Sequence, residues 1–154
     1  MDQPNRTFHF EFLFDGARER VFEAWTQPHF VEQWWGPHGS TNPVRKWDAK
    51  VGGQIHIDML ADDGAVYPML GGFEEFDAPQ RITFISTSFP DEAGEPRFVT
   101  RNTITFEDET SQTRVTVDAV VVKAFSGVLQ ALDGIELGWT ESLERLGQVV
   151  SASR

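Results

Sequence analysis

Cysteine is absent from the 154 residues, which excludes disulfides, thiol nucleophiles and thiolate metal sites. Tyrosine occurs once and methionine three times. Basic residues are few: 13 Lys and Arg stand against 24 Asp and Glu, giving a net charge of −11. A field of that sign repels phosphate backbones and anionic lipid surfaces, so neither nucleic acid nor a membrane is an expected partner. No run approaches the ~18 consecutive apolar residues of a membrane span. The opening Met1-Asp2-Gln3-Pro4-Asn5-Arg6 has no apolar stretch behind a basic patch, so no signal peptide is read and a cytoplasmic location is expected. Nucleophile words such as Gly-x-Ser-x-Gly are missing, as is any phosphate loop. The four histidines His9, His29, His38 and His56 are too dispersed for a metal site without cysteine. No metal and no cofactor are expected.

What is abundant is aromatic surface without polar handles: 13 Phe and 5 Trp. Three of the tryptophans, Trp25, Trp34 and Trp35, fall within eleven positions. Tryptophan buries a large apolar area and carries one N–H, so such a cluster either plugs a core or walls a cavity.

Hydrophobic periodicity organises the rest. Phe8, Phe10, Phe12 and Phe14 alternate with polar residues or leucine and predict a half-buried strand, ended by Asp15-Gly16, with Asp15 a helix N-cap. Ala17 to Thr26 reads as a helix broken at Gln27-Pro28, and His29 to Trp35 as a second short helix closed by Gly36-Pro37. A run of strands follows: Val44 to Asp48, the alternation Ile55/Ile57/Met59, a turn at Asp62-Asp63-Gly64, then Tyr67/Met69/Gly71/Phe73, then Ile82/Phe84/Ser86. Pro90 to Pro96 is predicted as a loop. Phe98 to Glu107 and Thr113 to Val122 make a final hairpin around Asp108–Ser111, with Phe106, Val115 and Val117 on its apolar face.

From Ser126 the period changes to three and four. Leu129, Leu132, Ile135, Trp139, Leu143, Leu146 and Val150 mark one amphipathic helix at ~3.6 residues per turn. Gly134 and Gly138 sit inside it on one face, each costing about 1 kcal/mol against alanine. Their return is close backbone approach or room left for something else. The predicted class is α+β: one domain over 1–154, six or seven antiparallel strands covered by one long helix.

Five words carry a family resemblance. They are Ala24-Trp25-Thr26-x-Pro28, Trp34-Trp35-Gly36-Pro37, Asp48-x-Lys50-x-Gly52-Gly53, Gly71-x-Phe73-x-Glu75-Phe76-x-x-Pro79-x-Arg81-Ile82, and Gly134-Ile135-Glu136-x-Gly138-Trp139-x-x-Ser142-Leu143-x-Arg145-Leu146. In this order the chain resembles the family named for the C-terminal domain of the heat-shock protein 90 ATPase activator. That family lies in the SRPBCC, START or Bet v 1-like superfamily. The resemblance implies a helix-grip fold and binding of apolar or amphipathic small molecules between sheet and helix. It also implies two alternatives: an enzyme of the polyketide cyclase or hydrolase kind, and a chaperone-interacting, stress-response module. The namesake's additional chaperone-binding domain has no counterpart in these residues. Lys50 stands where the family more often carries arginine, which keeps the charge and loses the planar fork.

The expected partner is therefore a small apolar or amphipathic molecule, bound by a monomer or homodimer. The expected cavity wall is Ile57, Met59, Tyr67, Met69, Phe73, Phe84, Phe106 and Trp139, with Trp34 or Trp35 at the entrance. These residues supply the mixture of apolar surface and one hydroxyl that small-molecule pockets use. No catalytic residue is assigned. Glu75 shares the phase of Tyr67, Met69 and Phe73 and is the one expected polar cavity group, with Arg81 as its alternative partner.

Overall fold

In the computed structural model, residues 6–36, 38–60, 63–124 and 129–152 are described, with the backbone alone for 90, 129–134 and 152. The element order is β1 (Thr7–Phe14), α1 (Arg18–Glu23), α2 (Pro28–Trp34), β2 (Val44–Trp47), β3 (Gln54–Leu60), β4 (Val66–Asp77), β5 (Arg81–Pro90), β6 (Pro96–Glu109), β7 (Gln112–Lys123) and α3 (Leu129–Ala152). The strands form one seven-stranded sheet in the order β1-β7-β6-β5-β4-β3-β2. Every neighbouring pair is antiparallel. Strand period, not strand propensity alone, sets the faces: Phe10 opposes Val117, Ile104 opposes Val117, and Phe84 opposes Phe73. These side chains share the inner face, which Leu143, Leu146 and Val150 of α3 cover.

Turn chemistry explains where the elements stop. Glu109 pairs with Gln112, leaving the two-residue loop Thr110-Ser111 with φ of 41° and 63°. Positive φ at both positions is the hairpin turn whose twist matches the flanking strands. The predicted 90–96 loop shrinks to 91–95, because Asp91 accepts from the amides of Ala93 and Glu95 and so closes the turn itself. The predicted turn at 62–64 and the helix start at Ser126 fall partly outside the described residues.

The first helix differs from its sequence reading. Its N-cap position is Ala17, without a side-chain cap bond, and not Asp15. Regular helix ends at Glu23, and residues 24–26 form a turn. Pro28, at the start of α2, fixes the next helical φ without demanding a donor partner.

Candidate functional site

All five tryptophans meet at one end of the sheet. Trp25 lies 4.5 Å from Trp34 and 6.1 Å from Trp139, ring centre to ring centre. Trp35 lies 5.9 Å from both Trp47 and Trp139 and 6.2 Å from Phe84. Phe73 and Phe106 close the cluster against Trp47 and Trp25. Trp25 and Trp34 are fully buried at 0% exposure. The indole N–H of Trp34 donates to the Ala24 carbonyl at 3.0 Å, and that of Trp47 to the Trp25 carbonyl at 2.6 Å. Thus two tryptophans satisfy the carbonyls freed where α1 unwinds. Trp34 is a core residue here and not part of an entrance. Trp35 also turns inward, although it follows Trp34 directly. Helical geometry no longer holds at Trp35, the C-cap of α2, whose backbone is extended.

The loop that follows is locked onto α3. Gly36 donates its amide to Ser142 Oγ at 2.8 Å. Arg145 donates to the carbonyls of Gln33, Trp35 and Gly36. Burial pushes the Arg145 pKa down from its ordinary value. Only glycine fits at 36: φ is +94°, and a Cβ there would lie 2.3 Å from Asn42 Nδ2. His38 adds an outer clasp, its Nε2 2.8 Å from Glu144 Oε1.

At the other end of the same sheet face the packing changes. Phe98, Val121 and Ala124 form a second buried cluster, with Phe8, Phe89 and Ile135 against it. This cluster is separate from the main core. Between the two stand polar side chains at inner-face positions. Ser86 follows Phe84 by two residues, and Thr100 and Asn102 oppose Ser86 and Phe84 across β5 and β6. Asn102 is 2% exposed and Thr100 is buried too. Ser86 Oγ and Thr100 Oγ1 are 2.6 Å apart, and Asn102 Nδ2 donates to Thr100 Oγ1 at 3.2 Å and to the Phe84 carbonyl at 3.4 Å. On the helix, a Cβ built at Gly138 would meet nothing within 4 Å, so open space lies beside it. Gly138 precedes Arg145 by seven residues and shares its face of α3, the one turned to the 33–36 loop. Gly134 lies among the residues whose side chains are not described.

This geometry has close relatives. The family model described as "Activator of Hsp90 ATPase homolog 1-like protein" matches residues 15–151. The chain belongs to that family. Among solved structures, a protein from Arthrobacter aurescens is 28% identical with a TM-score of 0.83, covering 95% of this chain and 86% of that one. A protein from Chromobacterium violaceum is 25% identical at a TM-score of 0.80, covering 94% and 96%. The AHSA1 protein from Silicibacter pomeroyi shares the fold at 22% identity and a TM-score of 0.79, covering 97% and 100%. A search of curated proteins gives no match. The Hsp90-activator-like fold of these neighbours is the Bet v 1-like helix grip, as the five sequence words imply.

Within this family frame the predicted wall residues separate into groups. Ile57, Met69, Phe73, Phe84 and Phe106 are buried and packed into the main core. Met59 and Trp139 are partly buried against it. Tyr67 is 44% exposed, with its ring 6.3 Å from Phe89, so its hydroxyl is not an interior group. Glu75 is on the outer face. A bulge between Phe73 and Glu75 inserts one extra residue, so Phe73 and Phe76 both point inward and the alternation on which the Glu75 reading rests is broken. Its Oε1 is 2.9 Å from Arg81 Nε, and it accepts from Thr83 Oγ1 at 3.1 Å.

Two surface recesses lie elsewhere. An open groove of about 600 Å³ is lined by Arg18, Arg81 and several acids, with both arginines paired, to Asp108 and Glu75. A recess of about 230 Å³ lies between Arg20, Phe30 and Val149. Among the described residues no cluster of three His, Asp or Glu can hold a metal ion. No described helix is long and apolar enough to cross a membrane. Sequence reading passed over Ser86, Thr100 and Asn102. The signal was there: Thr100 and Asn102 are in phase with Phe98, Ile104 and Phe106.

Proposed function

We propose that this protein binds a small apolar or amphipathic molecule between the sheet and α3, at the end away from the tryptophans. What supports the reading is the division of the inner sheet face into two apolar clusters, with polar side chains between them. A domain that needed only a core would continue one apolar stripe along β5 and β6, since buried polar groups contribute less than apolar ones of the same size. The Phe98 cluster with Phe89 and Ile135 of α3 supplies the apolar wall. Small-molecule sites have this composition, apolar with a few convergent polar groups.

The test is binding of a neutral environment-sensitive dye, Nile red, to the purified protein, with native mass spectrometry for co-purifying molecules. Bound dye that a C8–C12 amphiphile displaces, and that Val121→Trp weakens by filling the site, is the expected result. Dye binding unchanged by Val121→Trp but abolished by substitutions in the groove at Arg18 and Arg81 would overturn this location.

A further inference from the structure

The polar side chains between the two clusters define what kind of ligand group can enter. This inference rests on the binding reading above and deepens it. Asn102 offers two amide protons and one carbonyl oxygen. Both protons are committed, to Thr100 Oγ1 and to the Phe84 carbonyl. Its Oδ1 has no partner among the described residues. Ser86 and Thr100 share one hydroxyl proton in their 2.6 Å contact. Two hydroxyls carry two protons, so one O–H stays uncommitted whichever residue donates. The cluster therefore presents one free acceptor and one free donor, side by side, on a wall of otherwise apolar residues.

Among the described residues, charge is missing from that wall. The buried polar residues of the described chain are Asn42, Thr83, Thr100, Asn102, Thr113, Thr116 and Ser142, with no Asp, Glu, His, Lys or Arg among them. Arg145, the partly buried cation of α3, is committed to the carbonyls of the 33–36 loop. A carboxylate, phosphate or ammonium placed beside Asn102 would be a buried charge without a counter-ion, and its desolvation is not repaid by neutral dipoles alone.

We infer that Ser86, Thr100 and Asn102 form a recognition site for an uncharged group that both donates and accepts a hydrogen bond, a hydroxyl on an apolar body. The ligand hydroxyl donates to Asn102 Oδ1 and accepts the spare Ser86 or Thr100 proton. Anionic lipids and free fatty acids are excluded by the same arithmetic.

Four probes of matched length test this by Nile red displacement at pH 7: 1-decanol, its methyl ether, decanoate and decylammonium. The expected order is 1-decanol tightest, the ether about 10-fold weaker for leaving Oδ1 unpaired, and both ions about 100-fold weaker or more. Asn102→Leu is expected to bring alcohol and ether to equal affinity by removing the acceptor, with the ether itself unchanged within about 3-fold. Thr100→Val removes one hydroxyl and is the second variant should Asn102→Leu not fold, as judged by circular dichroism; it is expected to reduce the alcohol preference in the same direction. Decanoate binding as tightly as 1-decanol, or an alcohol preference that survives both variants, overturns the inference while leaving the binding reading intact. Failure of all four probes and of Nile red itself overturns both.

Discussion

The two ends of the inner sheet face are built from the same alternating strands but filled differently. At the α1–α2 end, five tryptophans and Phe84, Phe73 and Phe106 interlock, and two indole N–H groups reach backbone carbonyls. At the α3 entry end, a small apolar cluster is set apart by Ser86, Thr100 and Asn102. The first end is a plug: every large side chain has aromatic neighbours, and truncation leaves a void. The first leaves one buried donor, the Trp25 indole N–H, without a partner, whereas the second gathers a free acceptor and a free donor in one polar cluster. Aromatic abundance therefore marks stability in this molecule, and sparse polar residues in an apolar phase mark the site.

The contrast predicts where stability resides. Trp34→Ala should lose about 3–5 kcal/mol, measured by urea unfolding, because it removes a fully buried indole and its bond to Ala24. Arg145→Met should cost about 2 kcal/mol, since three carbonyls of the 33–36 loop lose a charged donor. If either variant keeps wild-type stability, the tryptophan end is not the plug described.

Much of this was legible from periodicity. The Phe8–Phe14 alternation, the period change at α3 and the break at Gln27-Pro28 each follow from local chemistry, and the fold follows from their order. The family words were legible too, but not their meaning. Trp34-Trp35-Gly36 and Ser142-x-x-Arg145 lie more than a hundred residues apart and act as one latch, which only tertiary contact reveals. Glu75 misled because a one-residue bulge reverses the face of everything after it, and alternation cannot register a bulge. Trp35 misled for a related reason: the helix ends one residue before it. Ser86, Thr100 and Asn102 looked like ordinary strand residues, since a polar side chain in an apolar phase is conspicuous only once the face is known to be buried.

Smaller effects sharpen the same comparison. Asn102→Leu should change stability by less than about 1.5 kcal/mol, because an apolar group replaces a partly satisfied polar one in the interior. A loss as large as that of Trp34→Ala would make Asn102 a structural keystone and not a site residue. Glu75→Gln should cost under about 1 kcal/mol and leave dye binding unchanged, as expected of a half-exposed surface pair with Arg81. The smallest effect lies on the outer face. Hydrogen bonds to Asp118 and then Glu11 raise the His9 pKa. A raised histidine stabilises the fold fully below its unfolded pKa of about 6.5 and loses that contribution as pH rises through the folded value. The Tm gap between wild type and His9→Gln should therefore be larger at pH 5.5 than at pH 9. A gap that widens with pH would reverse the assignment.

One measurement separates the two ends directly: a titration of the labelled protein with 1-decanol followed by nitrogen–proton correlation NMR. The five indole N–H groups report on the plug, and the Asn102 side-chain amide reports on the proposed site. The account predicts saturable shifts at the Asn102 amide and the backbone of Thr100 and Phe98, with the hydrogen-bonded indoles of Trp34 and Trp47 unmoved. Saturable shifts led by Trp34 and Trp47, with Asn102 silent, would contradict it and place the ligand among the tryptophans.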